Sequence, residues 1–348
     1  MAEAAPVRQP RGGHSHPRGE GSLPSVTTEG ARTRAAAAPS YRCFEAAVAR
    51  VQPLCPTFRR ITLSGPELHG FGHGGADQRV KLVLPSDPTR PDDSLGALVR
   101  WGDDWYSRWR ALPDAARPVM RTYTVRAVRP ELAEVDVDVV LHGAGHGSAA
   151  GPASSWAAGA RPGDRLVLVG PDRPGSGRAW GCEWAPPAGA RTLLLAGDET
   201  AVPAVCSVLE QLSPGTPTLA LLEVPHEADV LPVATPAGAE VRWLPRQRRG
   251  ERHPHGRLLT EAVRSAVSGL AAPRARAAGD LEDVDVDGSV LWDVPAAPEA
   301  GADGLYAWLA GEAGMVKELR RHLVRDIGVP RSSVAFMGYW RAGRAEAV

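Results

Sequence analysis

The sequence predicts a two-domain protein, in which an antiparallel β-barrel precedes an α/β domain built on a parallel sheet. The chain has 348 residues, which is long enough for two hydrophobic cores. Short segments with alternating or β-branched apolar residues fill the first half, whereas continuous apolar runs alternate with amphipathic helices in the second. We place the first domain at residues 40–175 and the second at residues 176–348.

Five segments of the first domain have the composition of strands. In one of them Val80, Leu82 and Leu84 lie on the same face, as in a strand that buries one side. Gly, Pro or polar residues separate the segments, which are Phe58–Leu63, Arg79–Pro85, Tyr123–Val128, Val135–His142 and Arg165–Gly170. Strands of this length and spacing predict a small barrel, to which we assign six strands.

An aromatic insertion interrupts the predicted barrel at residues 86–118. It contains Trp101, Trp105, Tyr106 and Trp109. Two interpretations stay open from the sequence alone. The aromatic side chains either pack as a cover over the barrel or form a platform for a ligand.

The second domain contains the buried runs expected of parallel strands. Thr192–Ala196 is continuously apolar, as in a strand covered on both faces. Further strands are predicted at Thr218–Val224, Val241–Leu244, Ser289–Trp292 and Leu305–Ala310. Helices are predicted over residues 202–212, Leu258–Val267 and Met315–Asp326, and a variable loop over residues 271–300. This alternation predicts a parallel sheet with helices on both faces.

Composition narrows the class of protein. Residues 1–39 are rich in Pro, Gly, Arg, Ser and Ala, so we expect a disordered tail. Basic and acidic residues are equal at 40 each, which gives no indication of nucleic-acid binding. There is no apolar run of membrane-spanning length and no signal-peptide core, so we expect a cytoplasmic protein. The four cysteines are scattered, so we expect neither a disulfide framework nor a metal centre.

Two motifs in the first domain suggest an anion site. Arg121, Thr122, Tyr123 and Thr124 lie on one predicted strand, and a Gly-Pro turn thirty residues later opens a short helix at 151–156. The free N–H groups at a helix start attract phosphate, and Arg121 can complete the clamp. The helix start contains Gly151, Ala153, Ser154 and Trp156. By itself, the strand motif is also compatible with an ordinary edge strand.

A polar turn follows the first strand of the second domain. Asp198, Glu199, Thr200 and Ala201 stand where related nucleotide-binding domains carry a glycine-rich loop. Their carboxylates suit a helix start but would repel a pyrophosphate, so a simple phosphate cradle is not expected here. Either Glu199 and Thr200 lie near a bound ligand, or Asp198 and Glu199 only cap the helix.

The order of these motifs resembles the ferredoxin-reductase superfamily. Within it, three strings are similar to those of the siderophore-interacting family of FAD-binding ferric-siderophore reductases. They are RTYTVR at 121–126, AGDETAVPA at 196–204 and GYWRAG at 338–343. The resemblance covers residues 41–344. It implies reduction of Fe(III) in a siderophore to Fe(II), which the siderophore binds far more weakly.

The resemblance also implies roles for particular residues. It implies that Arg121, Tyr123, Thr124, His142 and the 151–156 turn bind FAD, with Tyr123 against the isoalloxazine ring. It implies that the 197–203 turn faces the flavin and the nicotinamide. We expect NADH or NADPH as the electron donor and no catalytic acid or base, because the flavin itself performs the chemistry.

The basic run after the third predicted strand permits two interpretations. It contains Arg246, Arg248, Arg249, Arg252 and Arg257. These arginines form either a solvated face or a site for an anionic ferric siderophore or the NADPH phosphate. Near the C-terminal end, Arg341 and Arg344 are further candidates for the same site. We place Tyr339 and Trp340 after the final strand, either over the flavin or as a buried anchor.

Three functions remain open from the sequence. The favoured one is an NAD(P)H:ferric-siderophore oxidoreductase with noncovalent FAD. The alternatives are a flavin reductase that donates electrons to a biosynthetic partner, and a siderophore-binding module without catalysis. The residues assigned to the flavin are all present, which argues against the last. The sequence gives no indication of the oligomeric state.

Overall fold

The computed structural model describes residues 39–85, 93–142, 151–268, 292–300 and 304–343. The predicted tail lies outside these residues except for Pro39, as do most of the 271–300 loop and Arg344. The barrel and the sheet belong to one compact unit, Ala38–Val348. No helix within the described ranges is long and apolar enough to cross a membrane.

Six antiparallel strands close into a barrel, as predicted. The strands are β1 (Tyr41–Pro53), β2 (Phe58–Ser64), β3 (Arg79–Leu84), β4 (Val119–Arg129), β5 (Glu134–Val140) and β6 (Arg165–Pro171). Their order around the barrel is β1-β2-β5-β4-β3-β6, and β1 closes the barrel by pairing with both β2 and β6.

Strand β1 is the longest strand and was missing from the sequence prediction. Its inward face buries Phe44, Ala46 and Val48, whereas on its outward face Cys43 is buried against the aromatic insertion and Glu45 is exposed. The usual alternation of apolar and polar residues is therefore blurred, which explains why periodicity did not identify it.

The aromatic insertion packs on the outside of the barrel. It forms helices α1 (Asp93–Arg100) and α2 (Trp105–Ala111). Trp105 and Trp109 are buried against Cys43, Val83 and Val167 of the barrel wall. The interpretation as a packing cover is confirmed for these two tryptophans.

The second half forms a seven-stranded sheet. Its strands are β7 (Thr192–Gly197), β8 (Thr218–His226), β9 (Ala239–Arg248), β10 (Glu251–Arg252), β11 (Trp292–Asp293), β12 (Leu305–Glu312) and β13 (Val334–Trp340). Their order in the sheet is β10-β9-β8-β7-β12-β13-β11. The five central strands are parallel, as predicted, and the short edge strands β10 and β11 pair with their neighbours in the antiparallel direction.

Helices connect the parallel strands. They are α4 (Val202–Gln211), α5 (Arg257–Ser268) and α6 (Ala313–Arg321), and a further helix, α3 (Pro152–Gly159), precedes β6. A π-helical segment, His322–Ile327, extends α6. One prediction was wrong: Tyr339 and Trp340 belong to β13 and do not follow it, because pairing with β12 continues to Trp340.

The barrel and the sheet share a hydrophobic core. Phe58 and Val140 of the barrel pack in the same cluster as Leu195 of β7 and Val205 of α4. Apolar burial of this kind is the main favourable term in folding. The end of the barrel at which β2 begins and β5 ends is thereby held against the sheet.

A buried carboxylate strengthens the connection between barrel and sheet. Asp77, just before β3, is 1% exposed and accepts hydrogen bonds from the backbone N–H groups of Glu183 and Trp184. It also accepts one from Trp308 Nε1 of β12 at 3.1 Å. Burial raises the pKa of Asp77 despite these donors.

Asp77→Ala should destabilise the protein, because it leaves three buried donors without their acceptor. We expect the free energy of unfolding, measured with urea, to fall by about 3 kcal/mol. Asp114→Ala is the control, since that side chain is 95% exposed. Equal unfolding midpoints for the two variants would contradict a bridging role for Asp77.

Candidate functional site

Asp198 is the central group at the carboxyl edge of the sheet. It follows β7 directly and is fully buried. Oδ1 accepts hydrogen bonds from the N–H and the hydroxyl of Thr200, at 2.9 and 2.5 Å. Oδ2 accepts from the N–H of Glu312 and from Nε1 of Trp340, both at 2.8 Å. One carboxylate therefore joins the ends of β7, β12 and β13.

Glycine is required where β12 passes this carboxylate. Gly311 has a φ of 146°, and a Cβ there would lie 2.7 Å from Asp198 Cγ. Such a contact is shorter than van der Waals packing allows, and the backbone conformation favours glycine. Gly311 thus permits the close approach that the Asp198 hydrogen bonds need.

His255 is the cationic partner of Asp198. Its Nε2 lies 3.2 Å from Asp198 Oδ2 and 3.9 Å from Glu199 Oε2. Burial alone would lower the pKa of His255, but the two carboxylates outweigh burial and raise it. Burial likewise opposes ionisation of Asp198, yet contacts that include His255 lower its pKa. The two groups therefore stabilise each other in their charged forms.

Glu199 is held by an arginine of the basic run. Both terminal nitrogens of Arg246 contact its carboxylate, at 2.7 and 3.0 Å. Arg246 Nη1 also lies 3.3 Å from Glu223 Oε1, and Glu223 is fully buried. Burial alone would lower the pKa of Arg246, but these carboxylates raise it. The charge of Arg246 is thus balanced within the protein.

His142 brings the barrel to this edge of the sheet. It lies just beyond β5, and its side chain is 43% exposed. Its Nδ1 is 4.0 Å from Glu199 Oε1, and its ring centroid lies 5.8 Å from that of Trp340. Trp340 contacts the ring of His255 on another side, at 5.2 Å. Residues from both domains therefore meet around Trp340.

Helix α3 begins close to His142. The Ser154 hydroxyl accepts a hydrogen bond from the His142 N–H at 2.8 Å and donates one to the His142 carbonyl at 3.1 Å. Within the residues that the structure describes, no side chain caps the helix, and a Cβ at Gly151 would meet no atom within 4 Å. An uncapped helix start facing open space fits an anionic group. Ala153 is buried, and Trp156 packs against the barrel core.

The four residues of the strand motif, 121–124, lie on β4, and their side chains differ in burial. Arg121 is partly buried and donates to the Met120 carbonyl at 2.7 Å. Tyr123 packs against the barrel core, and Thr124 is buried. Thr122 Oγ1 lies 3.3 Å from Lys81 Nζ on the neighbouring strand.

The remaining residues that the sequence predicted for ligand binding do not form one cluster. Arg248 pairs with Glu227 at 3.1 Å on the exposed side of β9, and the nearby Arg249 and Arg252 are exposed. Ala201 is fully buried, and its N–H donates a hydrogen bond to the Asp198 carbonyl. Arg341 directly follows β13.

Sequence reasoning missed several members of the cluster. It gave no role to His255, Glu223 or Glu312, and it placed Trp340 beyond the strand. Glu223 carried a signal, since a lone carboxylate inside the apolar run TLALLEV needs a buried partner. His255 carried none, because its partners Asp198 and Glu199 lie more than fifty positions away in the chain.

The fold and the site define a class of protein. A closed antiparallel barrel followed by a sheet with helices is the ferredoxin-reductase-like architecture of FAD- and NAD-binding enzymes. An Amycolatopsis cytochrome P450 reductase shares the fold alone, at 17% identity and a TM-score of 0.52, over 86% of this chain and 71% of that one. The chain therefore has the ferredoxin-reductase-like fold.

The family follows from closer relatives. The family models "Siderophore-interacting FAD-binding domain" and "Siderophore-interacting protein" match residues 47–175 and 190–343. The siderophore-interacting protein SipS of Aeromonas hydrophila is 30% identical, with a TM-score of 0.57, over 88% of this chain and 94% of that one. The ferric vibriobactin reductase ViuB of Vibrio cholerae is 26% identical over 82% of this chain and 85% of its own length. The chain belongs to the siderophore-interacting protein family.

The His255–Asp198 contact predicts a pH-dependent contribution to stability. The pKa of His255 is raised above its usual value of 6.5, so its stabilisation is complete below that pH and is lost as the pH rises through the folded value. The lowered pKa of Asp198 keeps it ionised throughout this range. His255→Gln should lower the free energy of unfolding by about 1–3 kcal/mol near pH 6 and by less near pH 9.

Urea unfolding at several pH values measures this difference. His69→Gln, a change at an exposed histidine, is measured alongside for comparison. A His255→Gln deficit that is constant from about pH 6 to pH 9 would contradict an ion pair with Asp198.

Proposed function

We propose that the protein transfers electrons from NADH or NADPH, through FAD, to a ferric siderophore and releases the iron as Fe(II). The main support is the meeting of the two domains at Trp340. There His142 of the barrel lies beside Glu199 and Trp340 of the sheet. The crevice at the carboxyl ends of parallel strands is where α/β domains bind ligands. The similarity to ViuB, a ferric vibriobactin reductase, supports the same class of substrate.

The described residues fit FAD. The open, uncapped start of α3 provides N–H groups for the pyrophosphate, and Arg121 adds a positive charge for it. Tyr123 offers an aromatic ring and Thr124 a hydroxyl further along the same strand. We assign these groups to FAD, with His142 at the end of the site nearest the sheet.

The chain's own residues bind and orient. When bound, FAD supplies the conversion between a two-electron hydride and single electrons. Asp198 fixes the indole of Trp340 by the 2.8 Å hydrogen bond, so the ring is held between His142 and His255. Ion pairing with Arg246 holds Glu199 beside His142. These contacts fix the side chains past which the nicotinamide donor and the ferric acceptor would approach the flavin.

An anionic ferric siderophore needs a positive surface at the mouth of the crevice. Among the arginines of the basic run, Arg246, Arg248 and Arg257 have carboxylate partners. Arg249 and Arg252 are exposed in the β9–β10 hairpin, which extends from the carboxyl end of β9. We therefore base the proposed attraction of the siderophore on Arg249 and Arg252, with Arg341 as a further candidate.

The function is tested by anaerobic reduction followed by addition of a ferric siderophore. The purified holoprotein is first reduced with NADH or NADPH, which is observed as bleaching of the flavin absorption. Ferric siderophores are then added, and Fe(II) is trapped with a chelator. Bleaching followed by reoxidation and stoichiometric Fe(II) supports the proposal. Bleaching without Fe(II) release would instead indicate a flavin reductase.

Arg121→Ala should lose most of its FAD. A charge-assisted hydrogen bond to phosphate contributes about 1.5–3 kcal/mol, so the affinity should fall by about 10- to 100-fold. Flavin occupancy after gel filtration measures the effect. Arg161→Ala removes an exposed arginine from the loop after α3 and should keep its FAD. Full occupancy in a folded Arg121→Ala protein would refute the assignment.

Replacing Arg249 and Arg252 together with glutamine should weaken use of an anionic ferric siderophore. We expect the KM for that substrate to rise by about three- to tenfold at low salt and its salt dependence to flatten. Reduction of the flavin by NADH should be unchanged. Arg264→Gln, an exposed change on α5, is the control. If only reduction by NADPH is impaired, the two arginines serve the nucleotide phosphate instead.

A further inference from the structure

Three helices begin at the carboxyl edge of the sheet, where α/β domains commonly hold the phosphates of a nucleotide. Helix α4 follows β7, α5 follows the β9–β10 hairpin, and α6 follows β12. Phosphates bind at such helix starts because unpaired N–H groups and the helix dipole attract negative charge. In this protein, side-chain carboxylates lie at all three positions.

Helix α6 is capped by Glu312. Its Oε2 accepts a hydrogen bond from the N–H of Met315 at 2.8 Å, and its Oε1 accepts one from Ala342 at 3.2 Å. Helix α5 is capped by the fully buried Glu223. Its two oxygens accept from the N–H groups of Gly256 and Leu259, at 2.6 and 2.9 Å. A phosphate would have to displace a carboxylate at either helix.

In the described part of the chain, helix α4 itself has no side-chain cap, but Asp198 occupies the turn that leads into it. Asp198 accepts a hydrogen bond from the N–H of Thr200 with its side chain and from that of Ala201 with its carbonyl. Pro203, in the first turn, has no N–H to donate. Asp198 is also fully buried and held by Trp340 and Glu312, so it cannot swing aside.

The charges of this edge oppose an anion as well. Asp198, Glu199, Glu223 and Glu312 are four carboxylates. Within the described residues they contact Arg246 and His255, and the imidazole of His142 lies 4.0 Å from Glu199. Arg246 and His255 are already engaged by these carboxylates. A phosphate placed here would meet like charge in a partly buried setting, where screening is weak.

We propose that this carboxylate-capped edge rejects the diphosphate of a dinucleotide, so the electron donor is selected by its nicotinamide end. The inference rests on the proposed function. It makes the ADP half of NADH or NADPH contribute little affinity, and it makes Glu312 a specificity-determining residue. Reduced nicotinamide mononucleotide, which lacks the ADP half, should then be about as good a donor as either dinucleotide.

A comparison of three donors gives the first test. Stopped-flow bleaching of the holoprotein flavin is measured with NADH, NADPH and reduced nicotinamide mononucleotide. We expect second-order rate constants that agree within about fivefold, since RT ln 5 is below the energy of one good hydrogen bond to phosphate. A preference of a hundredfold or more for a dinucleotide would overturn the inference.

Binding of ADP gives a second test that needs no turnover. By calorimetry, the wild-type holoprotein should bind ADP weakly, with a Kd in the millimolar range. Glu312 is partly exposed, and Glu312→Gln keeps an acceptor for Met315 while removing the charge. It should tighten ADP binding by about tenfold. Glu318→Gln, on the exposed side of the same helix, should leave it unchanged.

The two tests separate the inference from the proposed function. Micromolar ADP binding by the wild type, or unchanged binding in a folded Glu312→Gln protein, would refute the carboxylate rejection. If no nicotinamide donor bleaches the flavin, the proposed donor is wrong. Weak ADP binding that Glu312→Gln improves would still support the rejection of diphosphate in that case.

Discussion

The fully buried carboxylate of Asp198 is the constraint on which the carboxyl edge of the sheet depends. A buried charge is costly unless hydrogen bonds and an opposite charge satisfy it. Here the donors come from Thr200, Glu312 and Trp340, and the charge comes from His255. Satisfying one side chain therefore fixes the ends of three parallel strands relative to one another.

The same constraint positions the contact between domains. Trp340 is oriented by Asp198, and its ring lies between His142 of the barrel and His255 of the sheet. The shared apolar core beneath, with Phe58 and Val140 beside Leu195, keeps the barrel against the sheet. Since interlocked cores resist sliding, this packing holds the barrel and the sheet in one arrangement.

The fold was predictable where one physical rule dominated. Alternation identified β5, and continuous burial identified β7, because each strand has a uniform environment on each face. The rule failed for β1, which buries Cys43 on one face and Phe44 on the other against different partners. In the site, the motif residues Asp198 and Glu199 were found from local sequence. His255 and Arg246 acquire their meaning only through contacts across the chain, and no local pattern encodes those.

The capped helix starts and the open start of α3 form a contrast within one molecule. Both kinds of site have N–H groups at a helix start that no carbonyl within the helix can satisfy, and the same dipole attracts anions to them. At α3 the cap is a glycine facing open space, whereas at α5 and α6 glutamates occupy the donors. Under the proposed function, this contrast would concentrate the affinity for a diphosphate on the barrel side, where we place FAD. The sheet side would then take a donor that is recognised by its nicotinamide ring and leaves after each hydride transfer.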